Sequence, residues 1–165
     1  MTTRSTDKPT AIDSFLQIAT LRIELEDSDP PIWRLVEVPT SVTLKVLHDI
    51  VQGAMGLPME DDWGTAPRKI AARIRLRDVL APGATTIAYS YDFGDDWQHT
   101  LTLSDVRQGD PALAYPRFIG GERECPPEDC GGISGFYDML EIRSDSTHEQ
   151  YIEQFSIILV HSRTI

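Results

Sequence analysis

Cysteine is scarce: the 165 residues hold two, Cys125 and Cys130. Two cysteines cannot build a disulfide framework. A chain of this length does not need one, since roughly two-thirds of its unfolded surface can be buried in a core. Long apolar runs are missing too. The longest, Ile157 to Val160, falls far short of the roughly 20 residues that span a bilayer. Residues 1 to 13 are polar and hold no signal-peptide core. The chain therefore reads as cytoplasmic, with reduced thiols. Positive charge is in deficit: 15 Lys and Arg stand against 26 Asp and Glu, a net charge of -11. Generic nucleic-acid binding rests on neutralising phosphates, so this balance argues against it and against anionic membrane surfaces. The local basic run of Arg68, Lys69, Arg73, Arg75 and Arg77 reads as a solvated face. No G-x-S-x-G, Walker loop, G-x-G-x-x-G or H-E-x-x-H occurs, and the EF-hand pattern is absent.

What is present is a sequence of clear local patterns. Residues 1 to 14 are rich in Thr and Ser and read as disordered, leaving 15 to 165 as a single domain. Leu21, Ile23 and Leu25 alternate with Arg22, Glu24 and Glu26, the pattern of a half-buried strand over 16 to 26. Asp27 to Pro31 reads as a turn, and Ile32 to Val38 as the returning strand of a hairpin. Leu44, Leu47, Ile50, Val51, Ala54 and Met55 make one apolar stripe, predicting a helix over 43 to 55 laid across that hairpin. Thr43 or Ser41 can cap it, and Gly56 suits its left-handed end. Residues 75 to 80 suggest a short helix. Ile87 to Phe93 and Trp97 to Leu103 form a second hairpin around Gly94-Asp95-Asp96. Residues 104 to 132 read mostly as loop. Ser134 is expected to cap a helix reaching Ile142, and 147 to 159 to form a last helix. The predicted class is α+β: a curled, roll-like sheet of two hairpins with an amphipathic helix across it.

Two dense motifs carry the candidate chemistry. The first is Tyr91-Asp92-Phe93-Gly94-Asp95-Asp96-Trp97-Gln98-His99; the second is Arg123-Glu124-Cys125-Pro126-Pro127-Glu128-Asp129-Cys130-Gly131-Gly132. Asp92, Asp95, Asp96, Trp97, Glu128 and Asp129 together suggest a binding surface that is acidic and aromatic. Clustered carboxylates also suit hard cations, while Asp and Gly recur in hairpin turns for backbone reasons alone. Cys125 and Cys130 could supply two soft ligands to zinc or another divalent metal, completed by His99, His48 or a carboxylate. As plain residues they are small side chains of a type usually buried, in a loop stiffened by Pro126 and Pro127. A redox pair lacks the Cys-x-x-Cys spacing. His99 lies between Trp97 and Leu101 on the apolar face of its strand, where a histidine is usually part of the core. No catalytic residue is identified.

These blocks, with Pro30-Pro31-Ile32-Trp33-Arg34, Leu47-His48, Ala54-Met55-Gly56, Leu76-Arg77-Asp78-Val79-Leu80 and Gly135-Phe136-Tyr137, resemble the plasmid pRiA4b ORF-3-like protein family over roughly residues 16 to 142. The resemblance implies an α+β roll in a bacterial protein found on plasmids and chromosomes. Some relatives carry labels as resolvases of mobile elements, which the charge here disfavours. The family's His-Leu-His-x-Phe strand after the position of Gly56 has no counterpart, since 57 to 72 contains no histidine. The expected function is a non-catalytic binding or accessory module with a protein or small-molecule partner. The rivals are a metal-binding protein or metal-dependent enzyme built on Cys125 and Cys130, and a DNA-associated protein. Ile157, Ile158 and Val160 suggest self-association through an apolar C-terminal segment.

Overall fold

The computed structural model describes residues 17–57, 69–80, 83, 85–91 and 94–149. The expected N-terminal disorder, Arg68, Asp92 and the apolar stretch from 150 onward lie outside the described residues.

Strands β1 (Gln17–Leu25) and β2 (Trp33–Pro39) pair antiparallel from Ile18↔Pro39 to Glu24↔Trp33. Their alternation does what the sequence requires: Leu21, Ile23 and Leu25 are buried, while Arg22 and Glu24 form an ion pair on the other face. Arg22 also lies 4.3 Å over the Trp33 ring, a cation–π contact. Helix α1 (Leu44–Met55) follows. Thr43 caps it by accepting from Val46 N–H, and Gly56 ends it in the left-handed region at φ 72°. The stripe Leu47, Val51 and Met55 is buried as α1 packs on β2. Each such side chain stabilises the fold by about 1.5–3 kcal/mol. Helix α2 (Leu76–Leu80) is anchored by buried Leu76, and the Arg75 guanidinium donates to the Ser41 carbonyl.

Strands β3 (Thr86–Tyr91) and β4 (Trp97–Gln108) form the second hairpin. Two findings differ from expectation. First, β4 continues to Gln108, and a fifth strand, β5 (Arg117–Glu122), pairs antiparallel with β2 where loop was expected. Gly120-Gly121 carries no strand signal, and a bulge at Ile119 of β5, opposite Leu35 and Val36 of β2, destroys the alternation on which strands are recognised. Second, helix α3 (Gly132–Ser144) begins before Ser134. Gly131 is its N-cap residue, and Ser134 instead donates to the Gly131 carbonyl. Residues 147 to 149, the described part of the expected last helix, are turn and bend.

The result is an α+β fold with an open, curled, five-stranded antiparallel sheet in the order β3-β4-β1-β2-β5. Two compact units can be distinguished. The first comprises residues 1–89 and 98–125; the second comprises 90–97 and 126–165. No helix among the described residues is long and apolar enough to cross a membrane.

Candidate functional site

In the first unit the centre of the motif residues is Arg34. It lies on the same side of β2 as Val36 and Val38, an arginine set into a core-facing alternation. Every N–H of its guanidinium is used. Nε donates to Ala54 O at 3.2 Å. Nη1 donates to Trp33 O at 2.8 Å and Glu122 O at 3.0 Å. Nη2 donates to Arg123 O at 2.8 Å and to the Cys125 thiol at 3.1 Å. The planar fork thus ties α1, β2 and the strand end leading into the cysteine loop. Gly121 makes room for it: a Cβ there would lie 2.6 Å from Arg34 Cδ and 2.7 Å from Trp33 O. Burial pushes the Cys125 thiol pKa up, and the Arg34 charge only partly opposes this.

Also in this unit, three aromatic rings meet. Tyr89 Oη and His48 Nδ1 are hydrogen-bonded at 2.8 Å, and the Tyr89 ring meets His99 edge-on at 5.8 Å between centroids. His99 is buried at 2% exposure, as its place between Trp97 and Leu101 predicts. Glu37, also buried, is held by Arg107 and lies 3.6 Å from Arg117.

In the second unit the two dense motifs interlock. The Asp95 carboxylate accepts from Gly131 N–H at 3.3 Å, placing negative charge at the N-terminus of α3. Gly131 and Gly132 take φ of 85° and 67°, conformations that L side chains rarely adopt. A Cβ on Gly132 would lie 2.6 Å from Asp95 O, and one on Gly135 only 1.8 Å from Cys130 O. Burial and then the Asp95 charge push the Cys130 thiol up. Its Sγ faces Gly132 O at 3.8 Å. Trp97 is buried at 4% exposure and contributes to packing rather than to an accessible surface. Asp96, Glu128 and Asp129 are exposed. Asp96 and Asp129 adopt left-handed φ of 52° and 53°, which aspartate tolerates better than most residues.

Among the described residues, no group of three or more His, Cys, Asp or Glu side chains is placed to hold a metal ion. Cys125 and His99 belong to the first unit and Cys130 to the second. Both thiols are free and partly buried. The sequence patterns alone give Arg34 and Gly121 no such role. The available signal was an arginine on the core-facing parity of β2.

The sequence matches the family described as plasmid pRiA4b ORF-3-like protein over residues 17–62 and 57–158. The chain belongs to that family. It is 30% identical over 155 residues to an uncharacterized protein, y4hQ, of Sinorhizobium fredii (strain NBRC 101917 / NGR234), covering 82% of this chain and 78% of that one. Its fold is similar to the crystal structure of MM3350, a protein of unknown function from Methanosarcina mazei Go1. The TM-score is 0.76 at 27% identity, over 85% of this chain and 88% of the other. Within the pRiA4b ORF-3-like family, then, two motif blocks of this chain have visible local work: Trp33-Arg34 with Gly121 to Cys125, and Asp95 with Cys130 to Gly135.

Proposed function

We propose that this pRiA4b ORF-3-like protein is a non-catalytic binding module. Its contact surface is the carboxylate set Asp96, Glu128 and Asp129 of the second unit, and its partner is a protein presenting a basic surface. The observation that carries this reading is a division of labour within the motifs. Asp95, Trp97, Cys125, Cys130 and the glycines lie in the packed part of the motifs, and the Asp96, Glu128 and Asp129 side chains are exposed to solvent. The thiols, raised by burial, are protonated at neutral pH and are poor nucleophiles there. Exposed like charges repel one another, a cost that an oppositely charged partner removes.

The test compares two neutralised proteins of equal charge, D96N/E128Q/D129N and the control D105N/E124Q/D138N. The probe is an arginine-rich peptide, read by fluorescence anisotropy at low and physiological salt. The expected result is an affinity loss of about tenfold or more confined to the first protein, shrinking as salt rises. Equal losses in both would reduce the binding to net charge and defeat the proposal. So would a turnover by the purified protein that disappears in Asp95→Ala.

A further inference from the structure

Strand β5 lies at the edge of the sheet, paired on one side with β2. Among the described residues nothing pairs with its outer side. Exposed sheet edges are usually blunted by lysine, proline or brevity, because they invite another strand. The opposite edge, β3, exposes only the small residues Thr86, Ala88 and Ser90. On β5, Phe118 is instead 60% exposed and Ile119 42%.

The register of β5 makes it complementary to itself. Arg117 pairs with Glu37 and Glu122 with Trp33. Positions 33 and 37 of β2 face the same side, so Arg117 and Glu122 also share a side. In a regular strand two residues five apart would face opposite sides; the bulge at Ile119 shifts the parity and aligns them. Phe118 and Gly121, opposite Val36 and Arg34, share the other side. A two-fold axis perpendicular to the sheet between Ile119 and Gly120 sets a second β5 antiparallel to the first. Each Arg117 then stands against the Glu122 of the second copy. Each Phe118 stands against a Gly121 of the second copy, on the side where that copy's own Arg34 fills the space over the glycine. A Cβ on Gly120 would meet nothing within 4 Å, so the sheet face at the middle of the strand is uncovered there.

We infer that β5 is a homodimerisation edge: two copies pair β5 to β5 and continue the sheet across a two-fold axis. The interface is isologous and closes on itself, so it gives dimers and not fibres. The strand is short, and the interface lies at the small end of specific ones, so the dimer forms in the micromolar range. Strand β5 belongs to the first unit and the carboxylates to the second, and the two proposals are tested by different variants.

Sedimentation velocity of the full chain across a concentration series provides the test. The expected result is a shift from the 18.5 kDa monomer toward twice that mass. Phe118→Asp, on an exposed side chain, should weaken association about tenfold or more. Arg117→Glu and Glu122→Arg should each weaken it about tenfold, and the double exchange should restore it to within about threefold, since the pairs are re-formed with opposite sense. Thermal unfolding of each variant separates loss of pairing from loss of fold. A monomer at every concentration overturns the inference. So does a dimer indifferent to Phe118→Asp, or a double exchange no better than the single ones. Amide hydrogen-exchange protection of β5 that does not depend on concentration also overturns it, since another segment of the same chain would then cover the edge.

Discussion

Removing the Arg34 guanidinium should be among the most damaging single changes in the first unit. Arg34→Ala abolishes five hydrogen bonds, of which those to Ala54 O, Trp33 O and the Cys125 thiol are part-buried. The bonds to Glu122 O and Arg123 O are exposed, and water can replace them. Taking the three part-buried bonds at about 1–1.5 kcal/mol each, the upper half of the ordinary hydrogen-bond range, gives a loss of about 3–4.5 kcal/mol. With a urea slope of about 2 kcal/mol per molar, the midpoint should fall by about 1.5–2 M. Arg34→Lys keeps the charge but offers three donors from one point, without the planar fork, and should lose about half as much. Urea unfolding of the three proteins, followed by circular dichroism, measures both. A fall of less than about 0.5 M in Arg34→Ala, or an Arg34→Lys protein as stable as wild type, would refute the reasoning. The fork would then be a surface decoration and not a clamp.

Other outcomes follow from the same geometry. Gly121→Ala must displace Arg34 or part the two strands, and should cost about 1–3 kcal/mol in the same urea experiment. Gly135→Ala, whose Cβ would lie 1.8 Å from Cys130 O, should loosen the start of α3, read as faster hydrogen exchange over residues 131 to 136. Asp95→Ala removes the acceptor for Gly131 N–H and should cost about 1 kcal/mol, whereas Asp95→Asn, which keeps an acceptor oxygen, should cost less. Both thiols are raised above their ordinary value of 9.0. A raised folded-state value contributes stability that is fully present below the unfolded thiol's pKa and lost as pH rises through the folded one. Their contribution should therefore be flat through neutral pH and decline only above pH 9.0, while native alkylation by iodoacetamide runs slower at neutral pH than in urea.

Where each face of an element has one job, the sequence was readable. The β1–β2 hairpin, the stripe and both caps of α1, and the β3–β4 hairpin follow from alternation, spacing and turn residues. So did the meeting of the Asp95 turn with the cysteine loop, now visible as the Asp95–Gly131 contact. Strand β5 was hidden because its bulge breaks the two-residue period and its glycines look like punctuation. Gly121 is in fact the space that Arg34 needs, which only the three-dimensional neighbour reveals. The same holds for Trp97, whose aromatic ring suggested a contact surface and which packs inside. The cap of α3 was misplaced because Ser134 has the right chemistry, while Gly131 has the right backbone conformation and borrows its carboxylate from Asp95. Long-range borrowing of this kind leaves no local signature.

The central claim is that Cys125 and Cys130 serve the packing of their loop and do not form a chemical centre. The most direct measurement is the metal content of anaerobically purified full chain, for wild type and for Cys125→Ser. The account predicts zinc, iron and manganese well below one equivalent per chain in both proteins. One equivalent in wild type, lost in Cys125→Ser, would contradict it.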